Sequence, residues 1–125
     1  MHRPHGWSAG FALGALSAAL GVMLGALGAH ALSGLPPRSL EWWHTGTQYL
    51  LVAAFGMMFD GLSERTRPLL RRPTAALLAG ALCFSGSLFA MALGAPRWLG
   101  MITPLGGLSL VAGFAWLGVR AWRAP

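Results

Sequence analysis

Four long apolar stretches alternate with short polar or proline-containing segments along the 125-residue chain. The first stretch carries no charge over residues 6–29, and the third carries none over residues 74–93. An α-helix needs about 20 consecutive apolar residues to cross the hydrocarbon layer of a bilayer. The pattern therefore predicts a single all-α domain, an integral membrane four-helix bundle, with spans at approximately 7–31, 41–62, 74–93 and 103–122.

The first stretch has two interpretations. Arg3 provides a basic amino-terminal region, and residues 29–31 resemble a small-x-small cleavage site, as in a secretory signal peptide. The apolar part of such a peptide is only about 7–15 residues long. We therefore expect an uncleaved helix, which Trp7 anchors at the membrane surface.

Caps and prolines set the expected starts of the other helices. Ser39 is the predicted N-cap of the second helix, and Pro73 suits the first turn of the third. For the fourth helix, an N-cap at Thr103 with Pro104 at the first helical position is favoured over a start near Trp98 with a kink at Pro104.

The second predicted helix is longer than the membrane requires. Glu41 is expected in its first turn, with Trp42 and Trp43 at the water boundary. Residues 39–62 form a helix about 36 Å long, so it should tilt in, or protrude from, a hydrocarbon layer about 30 Å thick. Asp60 then falls at the far, wet end, in a surface ion-pair cluster with Glu64, Arg65 and Arg67.

The composition favours a lipid environment. Hydrophobic residues make up 55% of the chain and charged residues 10%, whereas soluble domains carry about 25% charged residues. So few charges cannot cover a small globule in water. The net charge of +6 comes from arginines in short connectors, so nucleic acid is not an expected partner. A single cysteine, Cys83, excludes an intrachain disulfide and a cysteine-rich metal site.

The arginines are distributed unequally between the two sides of a four-span arrangement. Only Arg38 and Arg97 fall in the first and third connections. The positive-inside rule therefore predicts that both termini face the cytoplasm. The side that holds the termini and the second connection carries Arg3, Arg65, Arg67, Arg71, Arg72, Arg120 and Arg123.

Small residues recur every three or four positions along three of the predicted helices. Inside lipid, helices associate through close packing rather than through the hydrophobic effect. These stripes could form a homodimer face, but their presence on three helices favours packing within the molecule. The glycines predicted to pack against other helices are Gly14, Gly21, Gly25, Gly28, Gly86, Gly106 and Gly113.

One concentration of polar side chains lies inside a predicted span. Glu41, His44 and Gln48 share a face of the second helix, and His30 ends the first helix on the same side of the membrane. Because intramembrane polar residues usually point into a bundle or a wet cavity, these four form the candidate site. Two imidazoles and a carboxylate could bind a divalent metal, but the spacing of a metal motif is missing. A hydrogen-bonded interfacial network is the favoured interpretation, with no metal or cofactor.

No recognisable catalytic arrangement occurs in the sequence. It holds no Ser/His/Asp order, phosphate loop or run of His and Cys ligands, so we expect no enzyme. Ser85 and Ser87, near the middle of the third span, can donate to backbone carbonyls one turn back. A carboxylate buried in mid-membrane, which marks many ion-coupled transporters, is not expected either.

Several segments, in order along the chain, carry a family resemblance. They resemble the small four-span membrane proteins of unknown function that include bacterial YgdD and vertebrate transmembrane protein 256 (domain of unknown function 423). The resemblance implies an integral inner-membrane protein with no established activity. The family also has a histidine one turn after Tyr49, where this chain has Ala53. The similar segments are 24–30 (LGALGAH), Trp42 with 45–49 (TGTQY), 84–88 (FSGSL), 103–107 (TPLGG) and 112–113 (AG).

These observations predict a small structural or accessory component of the membrane, or of a larger membrane complex. Its expected partners are the lipid bilayer and a membrane protein or further copies of itself. The alternative is a small transporter or channel component, which would have to be an oligomer because 125 residues leave little room for a pore. A metal-binding or haem-binding role is the third hypothesis.

Overall fold

The computed structural model describes residues 8–63 and 71–124, and the described part is helical, without strands. A short 3₁₀ helix, Arg97–Met101, leads directly into the last long helix. The predicted all-α class is confirmed. The four long helices are α1 (Ala9–His30), α2 (Pro37–Ser63), α3 (Pro73–Ala92) and α4 (Ile102–Arg123). The predicted roles of Arg3, Trp7, Glu64, Arg65 and Arg67 lie outside the described residues.

Prolines, rather than the predicted cap, determine where α2 begins. The helix starts at Pro37, and the Leu40 N–H donates to Pro36 O at 3.1 Å. Proline suits this first position because its φ is already helical and its missing N–H would have no partner there. Ser39 therefore lies inside the first turn, and the prediction of Ser39 as N-cap is wrong. Glu41 lies beyond the first turn.

The fourth helix also begins differently from the prediction. Because the 3₁₀ helix runs straight into α4 at Ile102, Thr103 is a helical residue rather than an N-cap. Pro104 lies in the first turn, where backbone N–H groups have no intrahelical acceptor, so it needs no kink. The third helix does open with Pro73 at its start, as predicted.

Successive helices are antiparallel and pack in chain order, α1 on α2, α2 on α3, and α3 on α4. A direct contact between α2 and α4 occurs near Gly56, where Phe114 approaches. Within the described residues, α1 and α4 are thus the outer members of a row. The buried apolar core combines Leu50, Ala53, Met57, Leu77, Ala81 and Leu110.

Close contacts at glycine join each pair of neighbouring helices. A Cβ added to Gly14 would lie 2.6 Å from Ala54 O of α2, and one added to Gly113 would lie 2.8 Å from Leu77 Cδ2 of α3. Such separations leave no room for a side chain. Of the other predicted packing positions, Gly21, Gly25 and Gly28 also face α2, and Gly106 faces Phe84 of α3.

Gly86 does not take part in this packing. It is exposed, and no atom of a neighbouring helix lies within 4 Å of the position that its Cβ would occupy. Ser85 contacts α2 and Ser87 contacts α4. Because successive helical residues are about 100° apart, Gly86 points away from both neighbours. Its predicted packing role is therefore wrong.

The outside of the molecule is apolar. Large side chains such as Met23, Leu82 and Val111 are at least 66% exposed. Surfaces of this kind are unusual on monomeric soluble proteins. Three helical segments, Ala9–His30, Pro73–Ala92 and Arg97–Arg123, are long and apolar enough to cross a membrane.

Candidate functional site

The structure does not turn the predicted polar cluster inward. His30, Glu41, His44 and Gln48 are all exposed. The opposite face of α2 is buried instead, because its small and apolar residues allow close approach of α1 and α3. At 27 residues, α2 is about 40 Å long, which exceeds the hydrocarbon thickness of about 30 Å. Of the two predicted surroundings for this polar face, the bundle interior and a wet cavity, the structure does not show the bundle interior.

The alternative prediction, a site for a divalent metal ion, concerns the same four residues. Over residues 8–63 and 71–124, no group of three or more His, Cys, Asp or Glu side chains could hold a metal ion.

Trp43, predicted at the water boundary, is buried between three helices. It is 3% exposed, and its indole N–H donates to Leu24 O of α1 at 2.7 Å. Its ring lies against Phe89 of α3, with centroids 4.7 Å apart. Gly28 makes space for the ring. Trp43 therefore joins α1, α2 and α3 rather than anchoring an interface.

The most unusual polar feature is a buried carboxylate near the end of α2. Asp60 is 0% exposed, and its Oδ1 lies 2.8 Å from Arg120 Nη2 of α4. Arg72, which directly precedes α3, is 2% exposed, and its Nε lies 3.6 Å from Asp60 Oδ2. One carboxylate therefore faces two guanidinium groups, and we call these three residues the Asp60 cluster.

Asp60 also caps the helix that follows it. The Thr74 N–H donates to Asp60 Oδ2 at 3.0 Å, and the Thr74 hydroxyl donates to the same oxygen. Arg72 Nη2 donates to the backbone carbonyl of Asp60 at 3.1 Å. The first N–H groups of a helix need acceptors, and its positive end favours an anion. The Asp60 carboxylate therefore satisfies the start of α3 from the neighbouring helix.

Serines extend these contacts to all four helices. Arg120 Nη2 donates to Ser63 Oγ at 2.6 Å, and the Ser8 hydroxyl at the start of α1 donates to Gly61 O at 2.8 Å. We call this end of the molecule, where α1 and α3 begin and α2 and α4 end, the basic end. At the basic end, the helices are held together by ionic and hydrogen bonds as well as by apolar packing.

The prediction of a surface ion-pair cluster around Asp60 is therefore wrong about burial. Arg72 and Arg120 pair with Asp60, and the predicted partners lie outside the described residues. A signal for burial was present in the sequence. Asp60 follows Ala53 and Met57 by seven and three residues, so it shares their buried helix face.

Hydroxyl groups inside the molecule bond to backbone carbonyls. Ser85 donates to Gly46 O of α2 at 2.7 Å, and Ser109 donates to Ala76 O of α3 at 2.7 Å. Ser87 donates to Phe84 O, one turn back, at 3.0 Å. Of the two serines expected to bond within their own helix, Ser85 instead bridges two helices. Such bonds hold transmembrane helices together.

An open groove runs between α2 and α4, and α3 lies at its base. Its larger part has a volume of about 910 Å³ and includes Tyr49, Phe84 and Val111 in its lining. A second part, of about 600 Å³, adjoins the first at Phe114, whose ring lies against Gly56 of α2, and it reaches Ser63 and Arg120. We call the two parts together the α2–α4 groove. It offers an apolar surface with a cationic end, and neither part contains a nucleophile paired with a base.

Similar proteins occur in several bacteria. The chain is 40% identical to the UPF0382 membrane protein YwdK of Bacillus subtilis over 113 residues, covering 87% of this chain and 92% of that protein. It is 34% identical to the UPF0382 inner membrane protein YgdD of Escherichia coli over 113 residues, covering 87% of this chain and 86% of the relative.

A family comparison agrees with these relatives. The family described as "Protein of unknown function (DUF423)" matches residues 24–107, which include Gly25 and Gly28 of α1 and the buried face of α2. No solved structure matches the chain. The coverage and identity show that this membrane protein belongs to the DUF423 family.

Proposed function

We propose that this protein is a four-span component of the bacterial cytoplasmic membrane with a structural or accessory role, and that it is not an enzyme. Its relatives are bacterial membrane proteins, and the one from Escherichia coli is named an inner membrane protein. A catalytic role would need reactive groups around a cavity, whereas the α2–α4 groove has an apolar lining with one cationic end.

The packing of α2 supports four spans rather than three. Its neighbours α1 and α3 can each cross a membrane by length and composition. Since α2 is antiparallel to both and connects the end of one to the start of the other, we propose that it crosses in the opposite direction. Its polar groups at the basic end are paired inside the molecule, which lowers the cost of that crossing.

The observation that supports the accessory role is that buried polar groups bond to other helices of the same molecule. The Asp60 carboxylate is bonded to α3 and α4, and Ser85 and Ser109 bond to backbone carbonyls of neighbouring helices. These groups stabilise helix contacts instead of lining a path. The apolar outer faces of α1 and α4 remain available for lipid or for another membrane protein.

The alternative is a small transporter or channel component that functions as an oligomer. The buried Asp60 favours it, because ionisable residues inside membrane helices commonly serve ion movement. Ion flux through proteoliposomes separates the two proposals. An accessory protein gives no flux above that of empty vesicles, whereas a saturable, ion-selective flux from the wild-type protein would establish the transporter.

Site-specific crosslinking in native membranes tests the accessory role directly. A photoreactive residue replaces Met23, on the outer face of α1, or Leu82, on α3; both side chains are exposed. We expect one membrane protein to be captured reproducibly from one of these positions and to co-purify with the untagged chain. Equal capture of unrelated proteins from both positions would contradict a specific accessory role.

A further inference from the structure

The α2–α4 groove has the dimensions of a site for a lipid chain. On α2, the residues that line it are spaced by three or four positions: Tyr49, Val52, Gly56, Phe59 and Ser63. This stripe extends about 21 Å along the helix axis. One leaflet of a bilayer contributes about half of the 30 Å hydrocarbon thickness. The groove is therefore long enough for one acyl chain of a phospholipid, which would pass over the partly exposed Phe114 ring at Gly56.

The end of the groove is cationic. Arg120 and Ser63 close it at the basic end, and Arg123 lies one turn further along α4, beside Arg120 in an adjoining depression. The described residues at this end include one carboxylate, Asp60, and four arginines: Arg71, Arg72, Arg120 and Arg123. The local charge is thus positive where an apolar groove meets the membrane surface.

We propose that the α2–α4 groove binds an acidic diacyl phospholipid, with one acyl chain along α2 and the phosphate beside Arg120 and Arg123. Basic pockets between transmembrane helices attract anionic headgroups in this way. The proposal does not depend on the accessory role, because a transporter could hold the same lipid.

Charge distinguishes this occupant from a second copy of the chain. Two copies with the same orientation in the membrane would bring their basic ends together, and like charges repel. A free phosphate ion, in turn, would leave the apolar part of the groove unfilled. An acidic phospholipid matches both parts, since its headgroup is anionic and its chain is apolar.

Lipid-dependent thermal unfolding of the detergent-solubilised full chain tests the proposal. Dioleoyl phosphatidylglycerol is the probe, and dioleoyl phosphatidylcholine, with the same chains and a neutral headgroup, is its control. We expect phosphatidylglycerol to raise Tm in a saturable manner, because a ligand that binds only the folded state stabilises it. Equal stabilisation by both lipids would overturn the proposal.

Two variants assign the binding to the groove. An added Cβ at Gly118 meets no atom within 4 Å, so Gly118→Leu fills the groove without disturbing helix packing and should abolish the lipid-dependent shift. Gly86→Leu, at an equally open position outside the groove, is the matched control. Arg123→Gln should weaken binding about tenfold, as expected for one charge-assisted contact, whereas Arg97→Gln at the opposite end should not.

A phosphatidylglycerol-specific shift that survives Gly118→Leu would place the lipid elsewhere and overturn the assignment. Gly118→Cys in a Cys83→Ala background tests whether a second copy of the chain occupies the groove. Efficient disulfide-linked dimers in native membranes, unaffected by added phosphatidylglycerol, would show that a second copy fills the groove instead.

Discussion

At the scale of single residues, burial rather than residue type decides which polar groups matter. Asp60 was expected at a wet surface and is 0% exposed, whereas His44 and Gln48, expected in the bundle or a wet cavity, are exposed. The sequence indicates that α2 has polar residues on more than one face. It does not say which face the neighbouring helices cover, because that depends on contacts made far along the chain.

Asp60→Asn tests the importance of the buried carboxylate. The variant leaves Arg72 and Arg120 without a counter-charge, and Arg72 is almost fully buried. Breaking a buried ion pair by removing one partner costs about 3–5 kcal/mol. We expect a clearly lowered Tm in neutral detergent. Glu41→Gln, at an exposed position of the same helix, is the control and should melt like the wild type.

His44→Ala addresses the predicted polar cluster. Because His44, Glu41 and Gln48 are exposed, the substitution should leave Tm unchanged, and neither Zn²⁺ nor a chelator should separate the variant from the wild type. The measurement is a melting series with and without Zn²⁺. A Zn²⁺-dependent rise in the wild-type Tm that disappears in the variant would revive the metal-site hypothesis.

At the scale of helices, local signals predict how many elements form but not how they meet. Apolar length and Pro73 predict α3 correctly, because both act within the helix itself. The N-cap prediction at Ser39 fails because Pro37 offers an earlier start. The packing prediction at Gly86 fails because glycine spacing identifies a possible stripe without identifying the face that α2 and α4 cover.

Gly14→Leu tests the contact between α1 and α2. An added Cβ would meet backbone atoms, Ala54 O at 2.6 Å and Met58 N at 2.8 Å, and backbone cannot move aside as a side-chain tip can. Overpacking typically costs about 1–3 kcal/mol, so Tm should fall. Gly86→Leu introduces the same side chain at an open position and should be tolerated. Equal stability of the two variants would contradict this helix contact.

At the scale of the whole molecule, antiparallel packing places the starts of α1 and α3 at the same end as the finish of α2 and α4. That end holds Arg71, Arg72, Arg120 and Arg123, whereas Arg38 and Arg97 belong to the opposite end. The internal packing thus brings to one end the described arginines that the four-span prediction assigned to one side of the membrane. The positive-inside rule then predicts that the basic end faces the cytoplasm.

Cysteine labelling tests this orientation. In a Cys83→Ala background, Ser33→Cys introduces a thiol in the exposed turn after α1, and Ala124→Cys introduces one directly after α4. With an impermeant maleimide and intact cells, we expect Ser33→Cys to be labelled at once and Ala124→Cys only after permeabilisation. The Cys83→Ala protein alone should remain unlabelled throughout. The reverse pattern would place the arginine-rich end outside, against the positive-inside rule, and labelling of both thiols in intact cells would contradict an even number of spans.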